Sequence, residues 1–452
     1  MSSEATEAAA GEAPTAGQVV RIHGIAHGGE GVGRSEGEGR IWLVEGALPG
    51  DHVLVVRTEE RRNMLRGRVV RVLAPGPARA EVDRPTCGGC GWSHVRPEAQ
   101  AELKRQIAEG QLRRLGIAVP EVVASPQALG YRRRARLHFE RRPDGLALGF
   151  FRAHTHEIVE GHVCPVLDAP LRHAIGRVRP LASILPDRGE LTMLSDGSAV
   201  VLGIPGVAPR HEDPEEVELR AALQAALDEV VVGVVVRGGR RELVVGKGRL
   251  ALDPEGPDGL SVRTGPFEFA QAQAAQNAAL VRRVRELAEA RGRRVLELFA
   301  GAGNFTRALA REAAEIVAVE SERESAAALL RLAKQTRAKG QAEIQVRRGD
   351  AERALVKFAE EGRGFDSVVL DPPRGGLGLA GARALARVAR GRTVMVSCDP
   401  ATLARDLGPL LAAGHRVVAA AAFDMMPMTP EVEVVVALDA PPGGQAEGAG
   451  AT

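Results

Sequence analysis

An alternation that begins near residue 266 constrains the fold more than any other feature. From there to about residue 438, short apolar runs alternate with helical stretches, the pattern of a mostly parallel sheet with helices on both sides. The first run, Arg294-Val295-Leu296-Glu297-Leu298-Phe299, enters a glycine turn, Ala300-Gly301-Ala302-Gly303-Asn304-Phe305-Thr306, and then a helix. Glycines let a backbone approach a nucleotide-like ligand closely. A dinucleotide fingerprint needs a third glycine where Thr306 stands, which weakens that reading.

The later runs share one habit. The run 316–319 stops at Glu320, 343–346 leads to Gly349-Asp350, 367–370 stops at Asp371-Pro372-Pro373-Arg374, and 394–397 stops at Cys398. Glu297 adds an acid inside the first strand. Acidic groups at successive strand ends fall on the one edge where open α/β sheets bind ligands. Glu320 is placed to accept hydrogen bonds from ribose hydroxyls, and Asp350 to meet an adenine amino group. The series describes an S-adenosylmethionine site better than a dinucleotide site.

Cys398 occupies a strand-to-helix corner. Pro400 suits the first helical position and Asp399 is a good N-cap. The positive end of the helix dipole there is expected to favour thiolate. An aromatic after Asp-Pro-Pro would suggest methylation of an exocyclic amine, but Arg374 follows instead. Attention therefore moves to the thiol, which is needed when the target is a pyrimidine C5. Attack at C6 makes an enolate whose C5 accepts a methyl group. The C5 proton must then leave, and Glu433, near the start of the last strand, is the candidate base.

The first half of the chain reads differently. Residues 1–16, rich in Ala, Glu and Gly, read as a disordered tail, not a signal peptide, and 439–452 as another. Residues 17–74 read as a small all-β barrel with strands at 18–25, 39–44, 51–58 and 65–73. Arg57, Arg61, Arg62, Arg66 and Arg68 cluster in its second half, and open barrels bind single strands. Residues 75–265 form a central α+β domain. In it Tyr131-Arg132-Arg133-Arg134-Ala135-Arg136-Leu137-His138-Phe139, as a strand, puts Arg132, Arg134 and Arg136 on one face. Such a stripe, with Arg141, Arg142 and Arg152 nearby, suits RNA phosphates. The other face carries Arg133, Ala135, Leu137 and Phe139 and turns inward.

Cys87-Gly88-Gly89-Cys90 can bring two sulfurs onto one metal, and Cys164 can close the site in space. Three sulfurs are an incomplete set for a cysteine-only cluster. Zinc with His94 or His162 as fourth ligand is the alternative. Four cysteines in 452 residues exclude a disulfide scaffold and suit a reducing cytoplasm. No run approaches the roughly 18 apolar residues of a membrane span. The formal net charge of +2 does not announce a nucleic-acid binder, so basic character is local.

Taken together, these residues resemble the RNA uracil-5 methyltransferase family, from about residue 17 to 438. The most specific pieces are Ser-Cys-Asp-Pro-Ala-Thr-Leu-Ala-Arg-Asp at 397–406, Leu-Phe-Ala-Gly-Ala-Gly-Asn-Phe-Thr at 298–306 and Asp-Pro-Pro-Arg at 371–374. Phe-Ala-Gln at 269–271 is similar to the start of a further family motif. The resemblance implies a Rossmann-like class I methyltransferase domain at 266–438, the central α+β domain, and an N-terminal TRAM-like barrel that binds RNA. It implies Cys398 as nucleophile and Glu433 as base. It implies Gln271, Phe299, Asn304, Glu320, Asp350 and Asp371 around S-adenosylmethionine, and a [4Fe–4S] cluster or other metal on Cys87, Cys90 and Cys164. The expected substrate is 23S rRNA, and the expected form a cytoplasmic monomer. Transfer-RNA uridine, RNA cytosine, or a catalytically silent RNA-binding role are the alternatives.

Three positions depart from the family pattern. Cluster-bearing members have another cysteine six residues before the Cys-Gly-Gly-Cys pair, where this chain has Glu81. The family's histidine two residues before the base is Glu431 here, and the asparagine two residues after the motif glutamine is Gln273.

Overall fold

The computed structural model describes residues 17–35, 39–81, 87–206, 214–239, 241–252, 260 and 262–442. The tail predicted at 1–16 lies outside them, as do residues 443–452 of the one predicted at 439–452, whose first residue, Asp439, ends the last strand. The described residues form two compact units. Residues 17–81 with His94–Ala99 make up the first, and 87–93 with everything from Gln100 onward the second.

The first unit is a closed barrel. Its strands follow the order Gln18–Ile25, Gly31–Ser35, Ile41–Glu45, Met64–Ala74, His52–Arg61. Alternate residues point inward, so Val20, Ile22, Trp42, Val44, Val53, Val55 and Leu65 form its core. The strand Gly31–Ser35 is not among those expected from the sequence. Gly33 is needed within it: a Cβ there would lie 2.5 Å from the Arg21 carbonyl oxygen of the paired strand. Asp51 is fully buried and accepts hydrogen bonds from the Leu48 and Gly76 N–H groups at 2.8 and 2.7 Å. The Arg79 guanidinium completes this hub at 2.6 Å.

The second unit contains two large sheets. A seven-stranded sheet runs Arg241–Gly246, Val231–Gly238, Val200–Pro205, Arg188–Ser195, Arg134–Arg142, Gly145–Phe151, Ile158–Glu160. The helix Ala169–Val178 packs Leu171, Ala174, Ile175 and Val178 against it.

The eight-stranded sheet has the order Glu343–Arg348, Glu315–Glu320, Arg294–Leu298, Phe365–Leu370, Ala389–Ser397, Glu433–Asp439, Arg416–Phe423, Glu121–Val123. The first five strands are mutually parallel, and Glu433–Asp439 is antiparallel to both its neighbours. Chain order reverses at Arg294–Leu298, so a switch point opens between it and Phe365–Leu370. The eighth strand, Glu121–Val123, comes from the segment read as part of the central domain. Among the described residues no helix is long and apolar enough to cross a membrane.

Candidate active site

Register places the reacting groups. In the parallel ladder Leu298 pairs with both Val319 and Leu370, so the residues one step on, Phe299, Glu320 and Asp371, share one sheet edge. In the antiparallel ladder Ser397 pairs with Val434. One more step sets Cys398 against Glu433, and such partners have Cα atoms about 4.5–5.5 Å apart. A chain turn is thus unnecessary to bring thiol and carboxylate together, because the sheet does it.

The corner at Cys398 is held locally. Asp399 accepts from the Ala401 and Thr402 N–H groups, both at 2.9 Å, and caps the helix Pro400–Ala412. Ser397 Oγ accepts from the Asp399 N–H at 3.2 Å. Cap and proline match the sequence expectation, but the ionisation of the thiol does not. Burial pushes the Cys398 thiol up to about 11, and Glu433 and Asp371 push the same way. Arg374 alone among nearby side chains pulls it down. Two carboxylates and desolvation outweigh one helix terminus.

Glu433 is buried, and its Oε1 has no hydrogen-bond partner among the described residues. Burial, Asp371 and Glu431 hold its carboxyl well above the usual range. Asp371 keeps an opening onto the neighbouring cavity, yet the protein around it pushes its carboxyl up to about 7.

That cavity is lined by Gln271, Phe299, Gly301, Asn304 and Asp371 together with Arg133. Phe299 adopts φ 57°, a left-handed conformation that non-glycine residues rarely hold outside special sites. Gly303, at φ 103°, would bring a Cβ within 2.7 Å of Leu332. Asn304 exchanges side-chain hydrogen bonds of 3.0 and 2.9 Å with Asn277. Glu320 does not line the cavity. It anchors the glycine turn by accepting from the Gly301 N–H at 2.8 Å and the Glu322 N–H at 2.7 Å. Asp350 is exposed and caps the helix Ala351–Glu360 through the Arg353 N–H at 2.9 Å. It is not among the lining residues either.

Two participants went unassigned in the sequence. Glu297 is buried, and Thr306 lies beside its carboxyl and partly offsets the effect of that burial. Burial lifts its carboxyl to about 8, with Asp371 and Glu320 adding to the rise. Arg133, on the inward face, donates to the Gln271 carbonyl at 3.0 Å and the Leu252 carbonyl at 2.8 Å. The clue to Glu297 was an acid inside an apolar strand; nothing local marked Arg133.

The family follows from comparison with known proteins. A family profile described as tRNA (uracil-5-)-methyltransferase matches residues 222–440, and a TRAM-domain profile matches residues 16–70. The 23S rRNA (uracil(1939)-C(5))-methyltransferase RlmD of Alkalilimnicola ehrlichii is 35% identical over 92% of this chain and 94% of its own length. Its namesake in Pseudomonas putida is 32% identical over 91% of this chain and 92% of its own. The chain belongs to the RNA uracil-5 methyltransferase family. A solved relative, the Pyrococcus abyssi tRNA (uracil-54, C5)-methyltransferase in complex with S-adenosyl-L-homocysteine, superposes with TM-score 0.69 at 26% identity. It covers 92% of this chain and 99% of that one.

The metal expectation for this family member needs correction. Cys87, Cys90 and Cys164 do line one small cavity, with Phe150, Val159 and Met428. Among the described residues, however, no three histidines, cysteines or acids form a set able to hold a metal ion. Burial raises the Cys164 thiol, which favours its neutral form, not the thiolate a metal needs. His162 turns outward and pairs with Glu160 at 3.5 Å, and His94 belongs to the barrel unit. With Glu81 where the family carries a cysteine, these residues do not fit a four-cysteine [4Fe–4S] cluster.

The basic stripe is partly neutralised. Arg133, Ala135, Leu137 and Phe139 are buried while Arg132, Arg134 and Arg136 are not, as the alternation implied. Arg136, Arg141, Arg142 and Arg152 meet Glu190, Asp187, Glu140 and Glu157. Arg132 and Arg134 have no acidic partner among the described residues, and Arg134 is depressed by burial and by its two neighbours. In the barrel, Arg57 pairs with Glu60, and Arg61 and Arg66 with Glu59.

Proposed function

We propose that this protein methylates C5 of a uridine in 23S rRNA with S-adenosylmethionine as donor, through a covalent bond between Cys398 and uracil C6. The reading is supported by the antiparallel register, which pairs Ser397 with Val434 and so brings Cys398 toward Glu433, and by Asp371, which lines the glycine-turn cavity and acts electrostatically on both groups. The donor fits the cavity's chemistry. Burial raises the carboxyls of Glu297 and Asp371, and a sulfonium ligand with an ammonium group would supply positive charge that favours their ionised forms. When bound, it presents an electrophilic methyl group. Gln271, Phe299, Asn304 and Asp371 would hold it, and Glu320 would keep the glycine turn in place.

Cys398 adds to C6, and the ring's electrons pass to C5, which becomes able to take the methyl group. Glu433 then removes the C5 proton, the double bond re-forms, and Cys398 leaves as thiolate. The target base enters by flipping out of its stack. The barrel and the Arg132, Arg134 and Arg136 stripe hold RNA phosphates. Four free cysteines suit a cytoplasmic enzyme, and we infer a monomer.

The test is RNA carrying 5-fluorouridine, whose C5 fluorine cannot leave as a proton does. The wild type forms an adduct that survives denaturation, and Cys398→Ala does not. Mapping of 5-methyluridine in cells with and without this protein then names the RNA. A missing mark in transfer RNA alone would favour the second reading, which rests on the family profile and the Pyrococcus relative.

A further inference from the structure

A buried base must lose its proton before it can act again. Glu433 is 7% exposed and no hydrogen bond to its Oε1 leads outward among the described residues. Proton loss directly to solvent is therefore slow unless another group intervenes. Two residues earlier stands Glu431, whose side chain is 37% exposed and bonded to Arg374 at 2.6 Å. It is close enough to Glu433 to raise that carboxyl. Arg374 is also near enough to Cys398 for its charge to pull that thiol down.

The segment that carries Glu431 is fixed. Its N–H donates to Thr429 Oγ1 at 3.3 Å, and that hydroxyl donates to the Met426 carbonyl at 2.7 Å. The same carbonyl accepts from the buried Lys104 ammonium at 2.9 Å, and Lys104 also pairs with Asp424. The charged groups facing Glu433 are Asp371, Glu431 and the Cys398 thiol. Those facing Glu431 are Arg374, Lys104 and Glu433.

We propose that Glu431 is the proton exit of Glu433, a relay between the buried base and solvent. This rests on the uracil-C5 reading above. The C5–H bond breaks, and its electron pair forms the C5–C6 double bond as the C6–Sγ bond breaks. The proton goes to Glu433, passes to Glu431 directly or through one water, and leaves to solvent. No electrons enter or leave. Glu431 touches no reacting atom and acts through Glu433, held in reach by Arg374.

The experiment uses the full chain and RNA containing [5-³H]uridine, with methyl transfer, tritium release and denaturation-resistant adduct followed through the first and later turnovers. In Glu431→Gln, the first turnover keeps its wild-type rates of methyl transfer and tritium release and its adduct resolves, and later turnovers slow more than tenfold because Glu433 keeps its proton. Glu431→His, whose imidazole also carries protons, restores the later turnovers. Formate or imidazole added to Glu431→Ala restores them as well, which no structural role would produce. Equal slowing of the first and later turnovers without buffer rescue overturns the relay. So do unchanged later turnovers in Glu431→Gln. A wild type that releases no tritium from any RNA overturns the uracil reading and the relay together.

Discussion

Glu433→Gln makes the Cys398 thiol easier to ionise while removing the base. The sheet register sets the two residues one ladder step from a paired position, where Cα atoms lie about 5 Å apart. At an effective dielectric of about 20, a thiolate and a carboxylate with charges about 10 Å apart repel by about 1.7 kcal/mol, or about one pH unit. The thiol stands at about 11 in the wild type. Its midpoint should fall by about one unit, since burial, the largest cause, is left in place. At pH 8 the thiolate fraction then rises from about one in a thousand to about one in a hundred. Iodoacetamide alkylation, read by mass spectrometry on the Cys398 peptide, should speed up roughly tenfold. Turnover should nevertheless be lost. Arg374→Ala should move the midpoint the other way. A midpoint that stays in place or rises in Glu433→Gln refutes the placement of these groups.

Further outcomes are expected. Lys104→Met leaves Asp424 buried and unpaired and should cost about 3–5 kcal/mol in urea unfolding, most of it recovered in Lys104→Met/Asp424→Leu. Glu297 and Asp371 titrate near 8 and 7, so both are largely protonated at pH 6. A cationic donor selects their ionised forms, so calorimetry should show proton release at pH 6.5, fading above both values, and affinity that rises with pH between. Gly303→Ala, strained at φ 103° and crowded by Leu332, should cost more than about 1 kcal/mol and weaken donor binding in the same titration. Anaerobically purified protein should carry far less iron and sulfide than a four-iron cluster requires by elemental analysis.

What could be read from sequence was local. Asp399 and Pro400 announce a helix start in consecutive residues, and the helix begins at Pro400. The glycine turn, the acids at strand ends and the alternation through 131–139 were legible for the same reason. The strand Gly31–Ser35 was not legible, because close packing of strands and a turn both call for glycine. The ionisation of Cys398 was misjudged because the carboxylates that raise it arrive from other strands. Lys104 and Asp424 are 320 residues apart, and no local pattern pairs them. Arg133 fell on the inward face, but its partners, Gln271 and Leu252, are brought there only by folding.

That inward arginine gives one strand two duties. Its neighbours on either side offer charge to a polymer, while Arg133 grips the main chain at the donor's doorway. Because successive side chains on an extended backbone point to opposite faces, a substitution at Arg132 or Arg134 alters the outer face, while one at Arg133, a single residue away, alters the wall of the glycine-turn cavity.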